Sequence, residues 1–357
     1  MPFALVGVAA LALCGCLGFG GGSSAPASRA ADLSDAQLVG QRIVTGFEGR
    51  EVPPRLRRMI RAGRVAGVIL FEDNAGSPRA TARLVRRLQK VRRPRALDDP
   101  LLVLIDQEGG LVKRLDGPPR LSAEQMGDAG KAVCAREGAA TGRMLARVGV
   151  NVNLAPVLDV ARPGSAIEGE NRSFGRDPEE VATCGEAFAA GLERAGVAPT
   201  AKHFPGIGAA AVNTDDAVQR IGLSATRLRK LDEVPYETFA DGGGEGRLVM
   251  LSSAVYSAFS RKPAAMTRKL ATIELRDRLG FEGVSITDAL ETASTAAFGG
   301  PTAAAKAAAR AGTDLLLFTS LGAAADAAPA LRRVLRTDRK RFLESVDRVL
   351  ALRSGAG

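Results

Sequence analysis

From Leu38 onward, apolar runs of strand length alternate with longer stretches whose apolar side chains recur at helical spacing. The strand-like runs fall at 41–46, 66–71, 101–105, 150–154, 199–203, 247–251, 283–287 and 314–318. The amphipathic stretches include 79–91, 133–148, 178–195 and 268–279, and 328–352 reads as a C-terminal helix. The strand runs are almost continuously apolar, which implies burial on both faces and hence a parallel sheet. Eight such strands separated by helices predict a (β/α)8 barrel, with a doubly wound open sheet as the alternative. No second domain and no internal repeat is expected.

In a barrel the chemistry lies on the loops that follow the strands. Here those loops carry the polar and unusual residues. Asp106-Gln107-Glu108-Gly109-Gly110 follows the third run, Lys202-His203-Phe204-Pro205-Gly206 ends the fifth, and Asp288 follows the seventh. Glycines beside carboxylates allow a ligand to approach the backbone closely, although a tight turn with solvated acids would read the same way. Lys202 and His203 suit an oxygen-rich ligand as donors, and a packed His beside a surface Lys is the alternative. Arg172, in Asn171-Arg172-Ser173-Phe174-Gly175, is either a clamp or part of a capping segment before Asp177-Pro178.

Taken together and in order, these motifs resemble the barrel domain of glycoside hydrolase family 3. They are Leu-Ile-Asp-Gln-Glu-Gly-Gly-Leu-Val, Asn-Val-Asn-Leu-Ala-Pro-Val-Leu-Asp-Val, Asn-Arg-Ser-Phe-Gly-Arg-Asp-Pro, Ala-Lys-His-Phe-Pro-Gly and Leu-Gly-Phe-Glu-Gly-Val-Ser-Ile-Thr-Asp-Ala-Leu. The likeness is greatest to the single-domain bacterial β-N-acetylhexosaminidases and runs from about Leu38 to Leu352. The resemblance implies a glycosidase with Asp288 as nucleophile and with Asp106, Arg172, Lys202 and His203 holding sugar hydroxyls. It implies no cofactor, and no nucleotide, flavin or metal motif is evident. Asp314 resembles a polar position that we expect to be structural.

Two positions depart from the family pattern. Leu111 stands where an Arg commonly follows Gly-Gly. The family's acid/base His, on the loop after Lys-His-Phe-Pro-Gly, is replaced: without gaps, Asn213, Thr214 and Asp215 occupy the Asp-Ser-His positions, and the chain has a single His. Three readings stand. Asp215, or Asp216 beside it, is a carboxylic acid/base with a raised pKa; Glu168 or Glu170 serves instead; or the chain is a weak relative that binds glycan. Among enzymes, a β-glucosidase-like specificity is the alternative to β-linked N-acetylglucosamine.

Composition adds compartment and partners. Residues 2–19 are uncharged and mostly apolar, a length suited to a signal sequence, and end near Leu13-Cys14-Gly15-Cys16. This resembles a bacterial lipoprotein signal with Cys16 lipidated; a plain secretory signal cut after residues 25–27 is the alternative. Residues 1–31 are then signal and tether, and 32–357 the catalytic barrel. The expected setting is extracytoplasmic, lipid-anchored and concerned with cell-wall glycan. Cys134 and Cys184 would be the remaining thiols, free or paired. The net charge of +10 favours anionic surroundings. The basic residues of 55–64 and 79–95 look like solvated helix faces, so nucleic acid is not an expected partner.

Overall fold

A computed structural model describes residues 1–4, 28–244 and 246–355. Cys16, the expected lipidation site, and the apolar segment from residue 5 onward lie outside the described residues. Eight parallel strands form one sheet in the order β7-β6-β5-β4-β3-β2-β1-β8. They are β1 (Ile43–Thr45), β2 (Gly67–Leu70), β3 (Leu102–Ile105), β4 (Val152–Asn153), β5 (Ala198–Phe204), β6 (Leu248–Leu251), β7 (Val284–Thr287) and β8 (Leu316–Phe318). A parallel bridge between Ile286 and Leu315 joins the first and last strands in this order. The sheet is therefore a (β/α)8 barrel and not an open doubly wound sheet. Each strand lies within one of the eight predicted runs or extends past it by one residue at each end.

Both faces of the strands are buried, for two different reasons. Val44, Ile69, Leu102, Leu104, Leu248, Met250, Val284 and Ile286 point inward and fill the barrel. Their alternates, such as Ile43, Val68, Leu70, Val103 and Val249, pack outward under the helices. Val349 and Leu352 belong to the inner cluster. The C-terminal helix that carries them therefore plugs the lower end of the barrel. The predicted helix over 328–352 is two helices, Leu321–Thr337 and Arg339–Gly355. The chain turns at Asp338, with φ −148° and ψ 67°, and this lets the second helix swing under the barrel.

The helices Lys131–Val148 and Pro178–Glu193 are neighbours on the outside. Asp177 caps the second by accepting from the backbone N–H groups of Glu179 and Glu180. Gly138 permits the close approach, since a Cβ there would lie 2.3 Å from Phe188 O. Cys134 and Cys184, one on each helix, form a disulfide with Cα atoms 5.4 Å apart. Residues 28–30, which the sequence suggests lie in a tether, pack against the last helix. Ser28 Oγ donates to Asp347 at 2.6 Å, Ala30 N donates to the same carboxylate at 2.9 Å, and Ala30 is fully buried.

Asp314 lies at the start of β8, at the end of the barrel away from the strand C-termini. It secures the seam where β7 meets β8, which carries only that short bridging register. Its carboxylate accepts from Ser285 N at 2.9 Å and pairs with Arg276 and with Arg348 of the last helix. Burial would push this carboxyl up, but Arg348 and Arg276 outweigh it and hold it well below the usual carboxylate range. A depressed folded pKa stabilises the protein above the unfolded value, about 3.9, and the contribution is lost as pH falls toward the folded value. Asp314→Asn leaves two cations under the barrel without their counter-charge. It should cost about 3–5 kcal/mol of stability at neutral pH, measured by denaturant unfolding; a loss below about 0.5 kcal/mol would show that the seam does not depend on the pair.

Candidate active site

The C-terminal ends of the strands surround a cavity of about 280 Å³. That is near the small end of the roughly 300–1,000 Å³ usual for ligand sites. Asp106, Arg172, Lys202, His203, Asp215 and Asp288 all line it. All six residues expected from the sequence to act at one site therefore meet at one mouth.

Lys202 and His203 are consecutive on β5, and simple strand alternation would send one of them away from the cavity. The pairing of β5 with β6 shifts register between Ala201 and Phe204, so three residues of β5 span two of β6. This bulge re-aims the strand and lets both side chains serve the cavity. Lys202 Nζ contacts Asp106 Oδ1 and Glu108 Oε1, each at 2.7 Å. His203 Nδ1 lies 2.8 Å from Asp159 Oδ2, and the carboxylate can only accept. The ring proton therefore sits on Nδ1 and leaves Nε2 for the cavity.

Glu108 is the centre of the cationic wall. It is 5% exposed and is held in a hairpin, Gln107–Gly109 with Val112–Lys113. Gly109, with φ +107°, makes the turn possible, because a Cβ there would lie 2.3 Å from Leu121 O. Arg172 grips Glu108 with two parallel bonds of 2.9 Å. Burial would raise the Glu108 carboxyl, but the Arg172 guanidinium and then the Lys202 ammonium bring it down to about 2. Burial likewise opposes the charges on Lys202 and Arg172, and the facing carboxylates reverse that, so both cations are held firmly protonated.

The opposite side carries two carboxylates of different standing. Asp288 follows β7, and its Oδ1 accepts from the backbone N–H of Ala289 at 2.8 Å. Among the described residues, the Asp215 carboxyl has no hydrogen-bond or ion-pair partner. The charge of Asp288 is the first cause raising its pKa and burial the second; together they outweigh His203, Arg172 and Lys202 and bring it to about 6. Asp215 as a residue is nonetheless exposed at the cavity mouth, so the charge of Asp288, and not burial, is the firmer cause.

The other candidate acids are engaged or turned away. Glu168 accepts from Gly164 N at 2.7 Å and from Arg176 Nε at 2.8 Å, and it does not line the cavity. Glu170 accepts from Arg172 at 3.0 Å and from Asn213 at 3.2 Å. Asp216 is exposed and off the cavity wall. Leu111, at the hairpin tip, is 75% exposed and also off the wall.

The sequence reading missed three contributors. Glu108 was legible only as part of a carboxylate–glycine motif. Asp159, fully buried, orients His203 and accepts from Ile207 N at 2.7 Å; only its place in the Asn-Val-Asn-Leu-Ala-Pro-Val-Leu-Asp-Val run hinted at it. Arg114 lines the cavity, and its Nε is buried without a hydrogen-bond partner. Among the described residues, no group of three or more His, Cys, Asp and Glu could hold a metal ion.

Residues 36–352 match the sequence model described as the Glycosyl hydrolase family 3 N terminal domain. An "Uncharacterized secreted glycosyl hydrolase" of Arthroderma benhamiae is 39% identical over 302 residues, which is 82% of this chain and 84% of that protein. A solved glycoside hydrolase family 3 β-N-acetylglucosaminidase from Paenibacillus is 32% identical, with a TM-score of 0.85. It is matched by 91% of this chain, which spans 63% of that longer protein. A β-N-acetylhexosaminidase structure from Beutenbergia cavernae is 33% identical, with a TM-score of 0.82, over 90% of this chain and 99% of that one.

If the Asp288 charge is what raises Asp215, neutralising it must lower Asp215. Asp215 should titrate near 6 in the wild type and nearer the ordinary value of about 3.9 in Asp288→Asn. Carboxyl-carbon NMR against pH reads both values, and an unchanged titration in the variant would refute the coupling.

Proposed function

The chain belongs to glycosyl hydrolase family 3, and from that premise we propose that it is a retaining, exo-acting β-N-acetylglucosaminidase. Asp288 is the nucleophile in this reading and Asp215 the acid/base. The observation that carries it is the division of labour between two carboxylates on one small cavity. One is unpaired and pushed up toward neutrality, and it faces another beneath a fixed cationic clamp.

The terminal sugar sits with its hydroxyls against Asp106, Lys202, Arg172 and His203, which fix it in a pose ready for attack. An Asp288 oxygen forms a bond to the anomeric carbon as the bond to the leaving oxygen breaks, and Asp215 gives its proton to that oxygen. The glycosyl-enzyme then has Asp215 ionised beside it. Asp215 removes a proton from an entering water, whose oxygen bonds to the anomeric carbon and releases Asp288. Two inversions retain the β configuration.

The size of the cavity supports a single terminal sugar, and the names borne by the Paenibacillus and Beutenbergia relatives support the 2-acetamido sugar over glucose. The Arthroderma relative is named as secreted. With the apolar start ending at Cys16, this supports an extracytoplasmic, lipid-anchored enzyme working on cell-wall glycan.

The acid role has a signed pH signature. Asp215 must be protonated, so kcat/KM on a sugar leaving group should be full below about 6 and fall roughly tenfold per pH unit above it. An activated aryl leaving group needs little protonation and should show no such limb. Asp215→Ala should lose roughly 10²-fold or more on the poor leaving group and much less in glycosylation by the aryl substrate. Equal losses on both substrates would remove Asp215 from the role.

A further inference from the structure

A chain of hydrogen bonds leaves the sugar clamp and ends on the backbone of Asp215. Arg172, held by Glu108, donates from Nη1 to Glu170 Oε2 at 3.0 Å. Glu170 Oε1 accepts from Asn213 Nδ2 at 3.2 Å. Asn213 Oδ1 accepts from Asp215 N at 3.0 Å. The amide orientation is set at both ends. An amide nitrogen facing the Asp215 N–H would set donor against donor, so Nδ2 is the atom that faces Glu170.

The remainder of this loop is held differently. Its first part is anchored deep: Ile207 and Ala210 are buried, and Tyr256 Oη donates to Gly206 O at 2.9 Å. Thr214 is buried again, and its carbonyl accepts from Ser294 Oγ. Ala211 and Val212 between them are exposed. Asp159 ties the start of the loop to His203 by accepting from Ile207 N, and the Glu170–Asn213 bond ties the part that carries Asp215 to Arg172.

We propose that Glu170 and Asn213 form a latch that positions Asp215, so that the placement of the proton donor is coupled to the arginine of the sugar clamp. This rests on reading Asp215 as the acid/base. Both line the cavity wall and act through Asp215 in this reading, as positioning residues. The latch gives Asn213 a chemical reason. An aspartate at that position can still accept from the Asp215 N–H, but it sets a second carboxylate against Glu170 in place of a donor. A misplacement of about 1 Å can cost roughly 10²-fold in rate, and the loss falls on the step that needs the proton.

The test is a swap of hydrogen-bond polarity. kcat/KM is measured on a β-N-acetylglucosaminyl disaccharide and on an activated aryl β-N-acetylglucosaminide, and the ratio of the two is compared across variants. The variants are D215A, N213D, E170Q and the double variant E170Q/N213D. Each single change breaks the latch, by opposing two acceptors or two donors. In the double variant the glutamine amide donates to the aspartate while its oxygen still serves Arg172. Each single variant should lower the disaccharide-to-aryl ratio roughly 10–10²-fold, and the double variant should recover to within about threefold of wild type.

Charge alone gives another pattern. N213D adds a negative charge near Asp215 and E170Q removes one, so a purely electrostatic effect moves their ratios in opposite directions. A lost latch moves both down. Opposite shifts, unchanged ratios, or a double variant no better than the worse single would overturn the latch. The D215A arm reads the underlying assignment separately. If D215A loses equally on both substrates, the acid/base reading falls and the latch with it. If D215A behaves as an acid variant while the swap fails, the latch alone is wrong.

Discussion

The charge cluster centred on Glu108 organises the mouth of the barrel. One carboxylate, almost wholly buried, meets a guanidinium and an ammonium that are themselves buried. Three chain segments that are distant in sequence, the hairpin after β3, the loop after β4 and the end of β5, are brought to one point by these ion pairs. Burying three charges is tolerable only because each is matched and hydrogen-bonded. Asp106 completes the set from the end of β3. The result is a rigid wall whose polarity is fixed before any sugar arrives, which is the form electrostatic preorganisation takes.

A second buried cluster holds the other end. Asp314, with Arg276 and Arg348, closes the seam between β7 and β8 and draws the last helix beneath the barrel. The two clusters divide the barrel into an end that carries chemistry and an end that carries stability. Both use carboxylates whose pKa burial would raise and whose cations reverse that. Asp215 is the contrast. It has no cation bonded to it, its nearest strong influence is another carboxylate, and it is pushed up. The same functional group, a carboxyl, is a permanent anion in two places and poised to titrate in a third, because the neighbours differ.

The loop that carries Asp215 shows how an aspartate can be poised for the acid/base role that the family resemblance would give to a histidine. An imidazole titrates near neutrality with little help. A carboxylate needs its environment to raise it, and Asp288, the proposed nucleophile on the same cavity, provides that charge. In the proposed mechanism the nucleophile therefore tunes the acid. The substituted position costs the fold little, since the loop is anchored through buried Ile207, Ala210 and Thr214, and not through the acid itself.

The eight strands, their order and the barrel were legible in the sequence, because doubly buried parallel strands write themselves as continuous apolar runs. Asp106, Arg172, Lys202, His203 and Asp288 were legible because each follows or ends a strand within motifs that, together and in order, resemble those of the family. The departure at residues 213–215 was also visible there, as an absent histidine. Tertiary structure alone decided which carboxylate faces the cavity without a partner; Glu170 lines it too. Glu168, Glu170, Asp215 and Asp216 are equal as letters, and only their partners separate them: Arg176 takes Glu168, Arg172 and Asn213 take Glu170, and Asp216 lies off the wall. The roles of Glu108, Asp159 and Arg114 were hidden for the same reason. Local spacing determines which face of an element a residue occupies, while charge, pKa and hydrogen bonding are set by neighbours that the chain brings together only after it has closed into a barrel.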